Sequence, residues 1–408
     1  MSRLVQQEFQ WFQKLFGVPE SNIYSAVQAN FKVDMENGTL TSLANNRQFR
    51  IGKFSTPTLN SLRETAKHKL RMIEKDNALQ QCQFSYSHTV QGDVLPEHAK
   101  HPGALFQAAS QFNCLEFPTW KTVPEHGVTA YASDRTQGPA CALACAAGTV
   151  YRNYFAAVAA LSMDGNSTHS SDYTAQGQRQ DRQINNLDLL EAALNNAEEQ
   201  YFNIHNGYTF TAHESNLARL TTLISASKDS ALSPGQLRYE QLRGLVKIGL
   251  QTGVGVDFQE RFTVAAEGVK VTQAYCSALS CAYSGVQNQH WEALARLVLE
   301  ANYEATLWAA VLNAVQEYAS STSLQPQSAP SAGNNQQQVF LTFLGGGVFG
   351  NDPEWICDAI GRALAVMQLH EAPIQVHISH FRAINADWAA LVDEAFHRHV
   401  AILQQQCV

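Results

Sequence analysis

The chain has 408 residues, 45% of them hydrophobic and 16% charged, which is the composition of a compact water-soluble protein with a sizeable core in one large or two ordinary domains. A net charge of −8, with no basic run of five residues, weighs against a nucleic-acid or anionic-membrane partner. No uninterrupted apolar stretch of about 18 residues occurs, and the mixed N-terminus MSRLVQQEFQWFQKLF has no cleavable apolar core, so we expect no membrane span, no secretory signal and a cytoplasmic location.

Residues 1–80 read as mostly helical, an extension made of an amphipathic opening segment and a helix from Thr58 to about Leu79, with a turn over Arg50–Pro57 between them. Gln83–Val94 alternates as a strand; Leu105–Phe117 and Val128–Tyr131 are further short units. Ala140–Leu161 reads as one Ala-rich, largely buried helix, and polar residues 164–183 as a surface loop. Helices are expected over Leu187 to about Asn203, from Leu217, and over Gln289–Tyr318, with turns at Asn206-Gly207 and at Ser233-Pro234-Gly235. Residues 320–338, rich in Ser, Gln, Pro and Asn, form a polar excursion. A strand then runs into glycines, followed by a helix over Pro353 to about Leu369, a strand over Ile374–Ser379 and a closing helix from about Asp387. Such alternation predicts an α/β layered core, with residues 81–408 as the ligand-binding domain.

The eight cysteines form no Cys-x-x-Cys pair and no zinc spacing, and they read as reduced and buried; neither a metal nor a cofactor is expected. Four segments carry chemistry. The first is Leu344-Gly345-Gly346-Gly347-Val348-Phe349-Gly350-Asn351, where residues without Cβ bring backbone N–H groups close to a ligand. Asp352, Pro353 and Glu354 behind it are a helix-start signal whose dipole favours anions, so the turn suits a phosphate. A packing turn would need only one glycine. The literal Gly-x-Gly-x-x-Gly match also admits a dinucleotide oxidoreductase, but the next strand ends in His380 rather than an acidic residue.

The second segment, Ala108–Pro118, embeds Gln111, Asn113 and Glu116 in apolar surroundings; Glu116 reads either as a general base or as a carboxylate satisfied at a bend. In the third, Asp134, Thr136, Gln137 and Gly138 lead into the Ala-rich helix, offering a second anion-binding helix start; Asp134 equally fits a turn residue, and Arg152 and Asn153 read as structural. The fourth places Glu300 and Glu304 on one face of the long helix, a pair that reads either as catalytic or as a solvated face.

In chain order, the Gly92-Asp93-Val94 strand end, the Asn113 segment, the 134–140 loop and the 344–351 cradle resemble the macrodomain plan for holding ADP-ribose, over roughly residues 80–385. The cradle is especially similar to that of bacterial-type poly(ADP-ribose) glycohydrolases. Thr136-Gln137-Gly138-Pro139-Ala140, Tyr151-Arg152-Asn153-Tyr154 and Tyr303-Glu304-Ala305-Thr306-Leu307 further resemble a divergent macrodomain-like group. That group includes bacterial effectors which remove ADP-ribose from arginine, ubiquitin among their targets. The resemblance implies a mixed sheet sandwiched by helices. Asp93 would meet the adenine amine and Asn113 the distal ribose. Thr136, Gln137, Gly138 and the Gly345, Gly346, Gly347, Val348, Asn351 cradle would embrace the pyrophosphate, with Phe349 packed on the distal ribose. The chain lacks the Gly-Gly-Gly and Gln-Glu-Glu segment of polymer-cleaving glycohydrolases near Asn113, so no catalytic glutamate carries over and a mono-ADP-ribosyl bond is implied. Glu116, Asp134 and Glu304 are the candidate catalytic carboxylates. An ADP-ribosyl hydrolase acting on modified protein is the leading expectation, and a non-catalytic ADP-ribose reader the alternative.

Overall fold

Along Ile374–Phe381, buried and part-exposed residues alternate, the period of a strand packed on both faces. A computed structural model describes residues 10–73, 83–159, 174–228, 237–323 and 336–406. Its main sheet contains seven strands, which we number β1 (Lys53–Ser55), β2 (Ser85–Gln91), β3 (Leu105–Ala109), β4 (Gly249–Gly255), β5 (Lys270–Cys276), β6 (Gln337–Leu341) and β7 (Ile374–Phe381). Their spatial order is β1-β4-β5-β3-β6-β7-β2. From β5 to β2 every pairing is parallel, whereas β4 runs antiparallel to both β5 and β1. All the parallel strands therefore end on one side of the sheet, where α/β folds place their ligands.

Alternation along these strands divides the interior into two cores. Leu105, Ala274, Val339 and Leu341 face one core; Phe106, Tyr275 and Phe340 face the other. The first is filled by α1 (Leu59–Ile73), α4 (Glu292–Ser323), α5 (Pro353–Leu369) and α6 (Ala386–Gln406), and the second by α2 (Gln137–Ala144), α3 (Ala146–Tyr154) and the N-terminal segment. Helices thus cover both sheet faces, as expected of a mixed α/β sandwich. Within α4, residues 297–311 are buried all round because the helix lies between the sheet and its neighbours α1 and α5.

The N-terminal segment is less helical than the sequence reading. Two short helices (Trp11–Phe16, Tyr24–Gln28) precede a three-stranded antiparallel meander over Phe31–Asp34, Thr39–Ser42 and Gln48–Arg50 before β1. The cause is local: Asn37-Gly38, with Gly38 at φ +62°, turns the chain, and Leu40 and Phe49 point inward between polar neighbours. Trp11, Phe12 and Phe16 join the core of α2 and α3, so this part of the extension is continuous with the main body.

The expected Ala140–Leu161 helix also departs from expectation, breaking at Cys145 and giving way to a strand over Ala157–Ala159. Asp257 enters at the break. Its backbone N–H donates to Ala144 O at 2.7 Å, and its carboxylate accepts the Ala147 N–H at 2.7 Å. Of the polar insertions, residues 160–173 and 324–335 lie outside the described residues, as does the 233–235 turn. Residues 174–176 pair as a strand with 157–159.

Candidate functional site

A cavity of about 740 Å³ opens at the carboxyl ends of the parallel strands, touching Gln91 of β2, Ala109 of β3, Cys276 of β5, Thr342 just after β6 and Phe381 of β7. Three of the four chemistry-bearing segments meet there: the 344–351 cradle, the 134–138 loop and Glu116.

In the cradle, Gly345 has φ +73°, and a Cβ there would stand 2.4 Å from Ala278 Cβ and 2.5 Å from Asn351 Nδ2. Only glycine fits that turn. Gly346 lies under the Trp388 ring, 3.0 Å from where a Cβ would sit, whereas a Cβ on Gly347 would meet nothing within 4 Å. Among the described hydrogen bonds, the backbone N–H groups of Gly347, Val348 and Phe349 donate to no protein acceptor. They form a short run of donors at the cavity wall, the arrangement that binds oxyanions. Phe349 packs beside Tyr208 and Tyr283, at 5.4 and 5.8 Å between ring centres, while Val348 is 72% exposed at the rim. Asn351 supports the turn from behind: its N–H donates to Gly345 O at 3.1 Å and its Nδ2 to Leu279 O at 2.7 Å. Asp352 caps α5 by accepting the Glu354 N–H at 2.8 Å.

The facing wall is the start of α2. Asp134 Oδ1 accepts from Thr136 N at 2.8 Å and Thr136 Oγ1 at 2.7 Å, fixing the entry turn. Gln137 departs from its expected ligand role in one respect. Its side-chain oxygen accepts the Ala109 N–H at 2.7 Å and its amide donates to Gln107 O at 2.7 Å, so the side chain clamps α2 to the end of β3. Gly138 is required by that clamp, since a Cβ would sit 1.8 Å from Ala109 O.

Glu116 is buried at the cavity floor. Oε2 accepts from Arg152 Nη2 at 3.4 Å, while Oε1 has no partner among the described residues. Burial pushes its carboxyl up to about 7 against the lowering influence of Arg152 and of the nearby Ser110 hydroxyl, which itself donates to Leu115 O at 3.1 Å. A carboxyl poised there is suited to proton transfer near neutrality. Asp93 lies on the rim with both oxygens engaged, one accepting the Leu95 N–H at 3.0 Å and the other paired with Arg261 Nε at 3.0 Å.

Besides Asn351, which stands behind the turn, two more expected residues lie outside the cavity lining. Asn113 is buried behind the wall, donating to Gln183 Oε1 at 2.8 Å and accepting the Leu115 N–H at 3.0 Å, so it holds the loop and does not line the cavity. Glu304 drops out of the catalytic set. It is buried in an ion-pair cluster away from the cavity, paired with Arg63 at 2.8 Å and Arg243 at 2.7 Å and accepting from Trp308 Nε1 at 3.1 Å. Its carboxyl stays ionised, held at about 2 despite burial by Arg243, Arg63 and Arg362.

The sequence reading missed Trp388, Tyr208 and Tyr283 as lining residues and assigned no role to His380. His380 accepts the Asn385 N–H at its Nδ1 (3.2 Å) and meets His88 Nδ1 through Nε2 (2.9 Å). The signal was available only for His380, which stands where the β7 strand ends; the aromatic residues are distant in sequence and indistinguishable there from core. Among the described residues no group of three or more His, Cys, Asp or Glu side chains is placed to hold a metal ion, and the described cysteines are free and buried. Cys82 and Cys407 lie outside the described residues.

No family model and no curated protein matches the chain. Among solved structures, the poly(ADP-ribose) glycohydrolase of Deinococcus radiodurans in complex with ADP-ribose is similar over 86% of this chain and 95% of its own, at 11% identity and a TM-score of 0.37. That of Thermomonospora curvata, bound to the inhibitor ADP-HPD, is similar over 89% and 95%, at 12% identity and a TM-score of 0.32. Likeness this distant leaves the functional reading to the chemistry of the cavity.

Proposed function

We propose that the protein is an ADP-ribosyl hydrolase that releases ADP-ribose from modified protein, with mono-ADP-ribosyl-arginine as its substrate. One observation supports this reading above the others: Glu116 offers a carboxylate oxygen, unpaired among the described residues, at the floor of a cavity whose walls present backbone N–H donors and a helix start. The walls suit a pyrophosphate, and the motif resemblance supplies ADP-ribose as the ligand that has one.

In the reaction the bond from the anomeric carbon of the distal ribose to the guanidine nitrogen breaks, and its electron pair leaves with nitrogen. Positive charge develops at the anomeric carbon, which a carboxylate stabilises. Water oxygen bonds to that carbon; Glu116 Oε1 takes the water proton, which passes to the released guanidine. Asp134, also at the cavity wall, is our candidate partner for the arginine guanidinium. Asp93, Thr136 and the Gly345–Phe349 backbone are assigned to the nucleotide and its phosphates.

The test uses two substrates, an arginine-ADP-ribosylated peptide and ADP-ribosylated ubiquitin, the acceptor that the resemblance names. Free ADP-ribose is the readout. Release by the wild type and a loss of at least 100-fold in Glu116→Gln, with ADP-ribose binding retained, is the expected result. Binding without release by the wild type would replace the hydrolase with a reader of ADP-ribose.

A further inference from the structure

Glu116 does not hold its position alone. The loop bearing it passes through Cys114, a non-glycine residue at φ +61°, a backbone state that side chains rarely adopt. Arg152, fully buried on α3, spans that loop. Its Nε donates to Cys114 O at 3.0 Å, while its Nη2 reaches Glu116 Oε2 at 3.4 Å and Thr149 Oγ1 at 3.1 Å. Nη1 donates to Gln251 Oε1 at 3.0 Å and to the Tyr275 hydroxyl, and the guanidinium lies 3.7 Å from the centre of the Tyr275 ring. One rigid fork therefore grips the strained carbonyl, the carboxylate and the sheet together. Its grip on Oε2 leaves Oε1 as the oxygen without a partner.

Resting on the hydrolase reading for its catalytic meaning, we infer that Arg152 is the positioning residue of the site: it fixes the Glu116 loop and carboxylate as a unit so that Oε1 is the oxygen presented to the substrate. Among the described residues, the titratable groups facing Glu116 are Tyr131 from the 129–133 turn, Cys141 of α2, Arg152 of α3, Tyr275 of β5 and Cys114 of its own loop. Burial pushes both thiols and both phenols up, so all four are neutral near pH 7. Arg152 is the charge in that set, and with the neighbouring Ser110 hydroxyl it holds the Glu116 proton equilibrium down.

The experiment follows the Glu116 carboxyl carbon by NMR in protein labelled at glutamate, assigned by its absence in Glu116→Gln. In Arg152→Met the ionisation midpoint is expected to rise by about one to three pH units, and in Arg152→Lys by less. The acid limb of kcat/KM for ADP-ribose release should move up with it; a merely structural Arg152 would lower activity equally at every pH. Should the variants not fold, the wild type still decides: its Arg152 guanidinium nitrogens must titrate at the same midpoint as Glu116. An unmoved midpoint in Arg152→Met, or guanidinium resonances blind to the Glu116 titration, overturns the inference while leaving hydrolysis standing. A moved midpoint in a protein that releases no ADP-ribose upholds Arg152 and removes the hydrolase.

Discussion

Gly345 and Gly347 are neighbours in composition and opposites in environment. Gly345 sits at a left-handed φ with two atoms inside 2.6 Å of a would-be Cβ; Gly347 has open space. Gly345→Ala should therefore cost about 2 kcal/mol or more in stability, of which about 1–2 comes from the backbone alone. Gly347→Ala should leave the unfolding midpoint within about 0.5 kcal/mol of wild type and weaken ADP-ribose binding, because the methyl group projects where phosphate would approach. Denaturant melts beside calorimetric titrations test the pair; if Gly347→Ala binds as wild type does, the cradle is a packing device. Sequence made the glycine run legible but could not divide these two roles, since φ and neighbours are properties of the fold. The same holds for Gln137, whose polar side chain read as ligand-facing and is consumed by the end of β3.

At the scale of elements, Glu304 shows how one sequence pattern serves a different end. Two glutamates a turn apart on α4 read as a catalytic or solvated face, yet Glu240, Glu300 and Glu304 interlock with Arg63, Arg243 and Arg362. The three arginines come from α1, the Tyr239–Gly244 helix and α5, each far from α4 in sequence. The cluster thus fixes α4 against its neighbours. Removing one carboxylate leaves arginine charge buried without compensation, so Glu304→Gln should cost about 3–5 kcal/mol at pH 7 by chemical denaturation. Because the folded Glu304 is held at about 2, below the usual carboxylate value, its contribution is present above that usual value and fades as pH falls toward 2. A Glu304→Gln protein as stable as wild type at pH 7 would show that the cluster contributes nothing net.

For the whole molecule, buried acids set the opposite slope. Burial raises the folded Asp257 carboxyl to about 7 from an ordinary value near 3.8, against the Ala147 N–H bond that lowers it. The fold prefers it protonated, so its effect on stability is worst above pH 7. That effect is relieved as pH falls toward the unfolded value, by ~1.4 kcal/mol for each pH unit crossed between the two. Asp257→Asn keeps an oxygen for the Ala147 N–H and removes the charge. Its melting temperature should exceed wild type at pH 8 and match it near pH 4; identical pH profiles would exonerate Asp257. At the acid end, His98, buried and held down to about 4, loses stability as pH falls below its ordinary value near 6.5. Between about pH 6.5 and 4 the two slopes run in opposite directions and largely offset each other, so neither group alone sets the pH of greatest stability there.

Period and punctuation, which are local, determined the α/β class, β2, β7, α5 and the glycine turn with its Asp352 cap. The break between α2 and α3 needed Asp257, more than a hundred residues away, and the N-terminal meander drew its inward faces from a core shared with those helices. Only tertiary structure gave the three carboxylates different environments. Glu116, Asp134 and Glu304 are alike as letters, but a carboxylate's chemistry is decided by the charges, donors and water around it. Those neighbours come from elements that only the folded sheet brings together, leaving Glu116 with an oxygen unpartnered among the described residues and enclosing Glu304 among arginines.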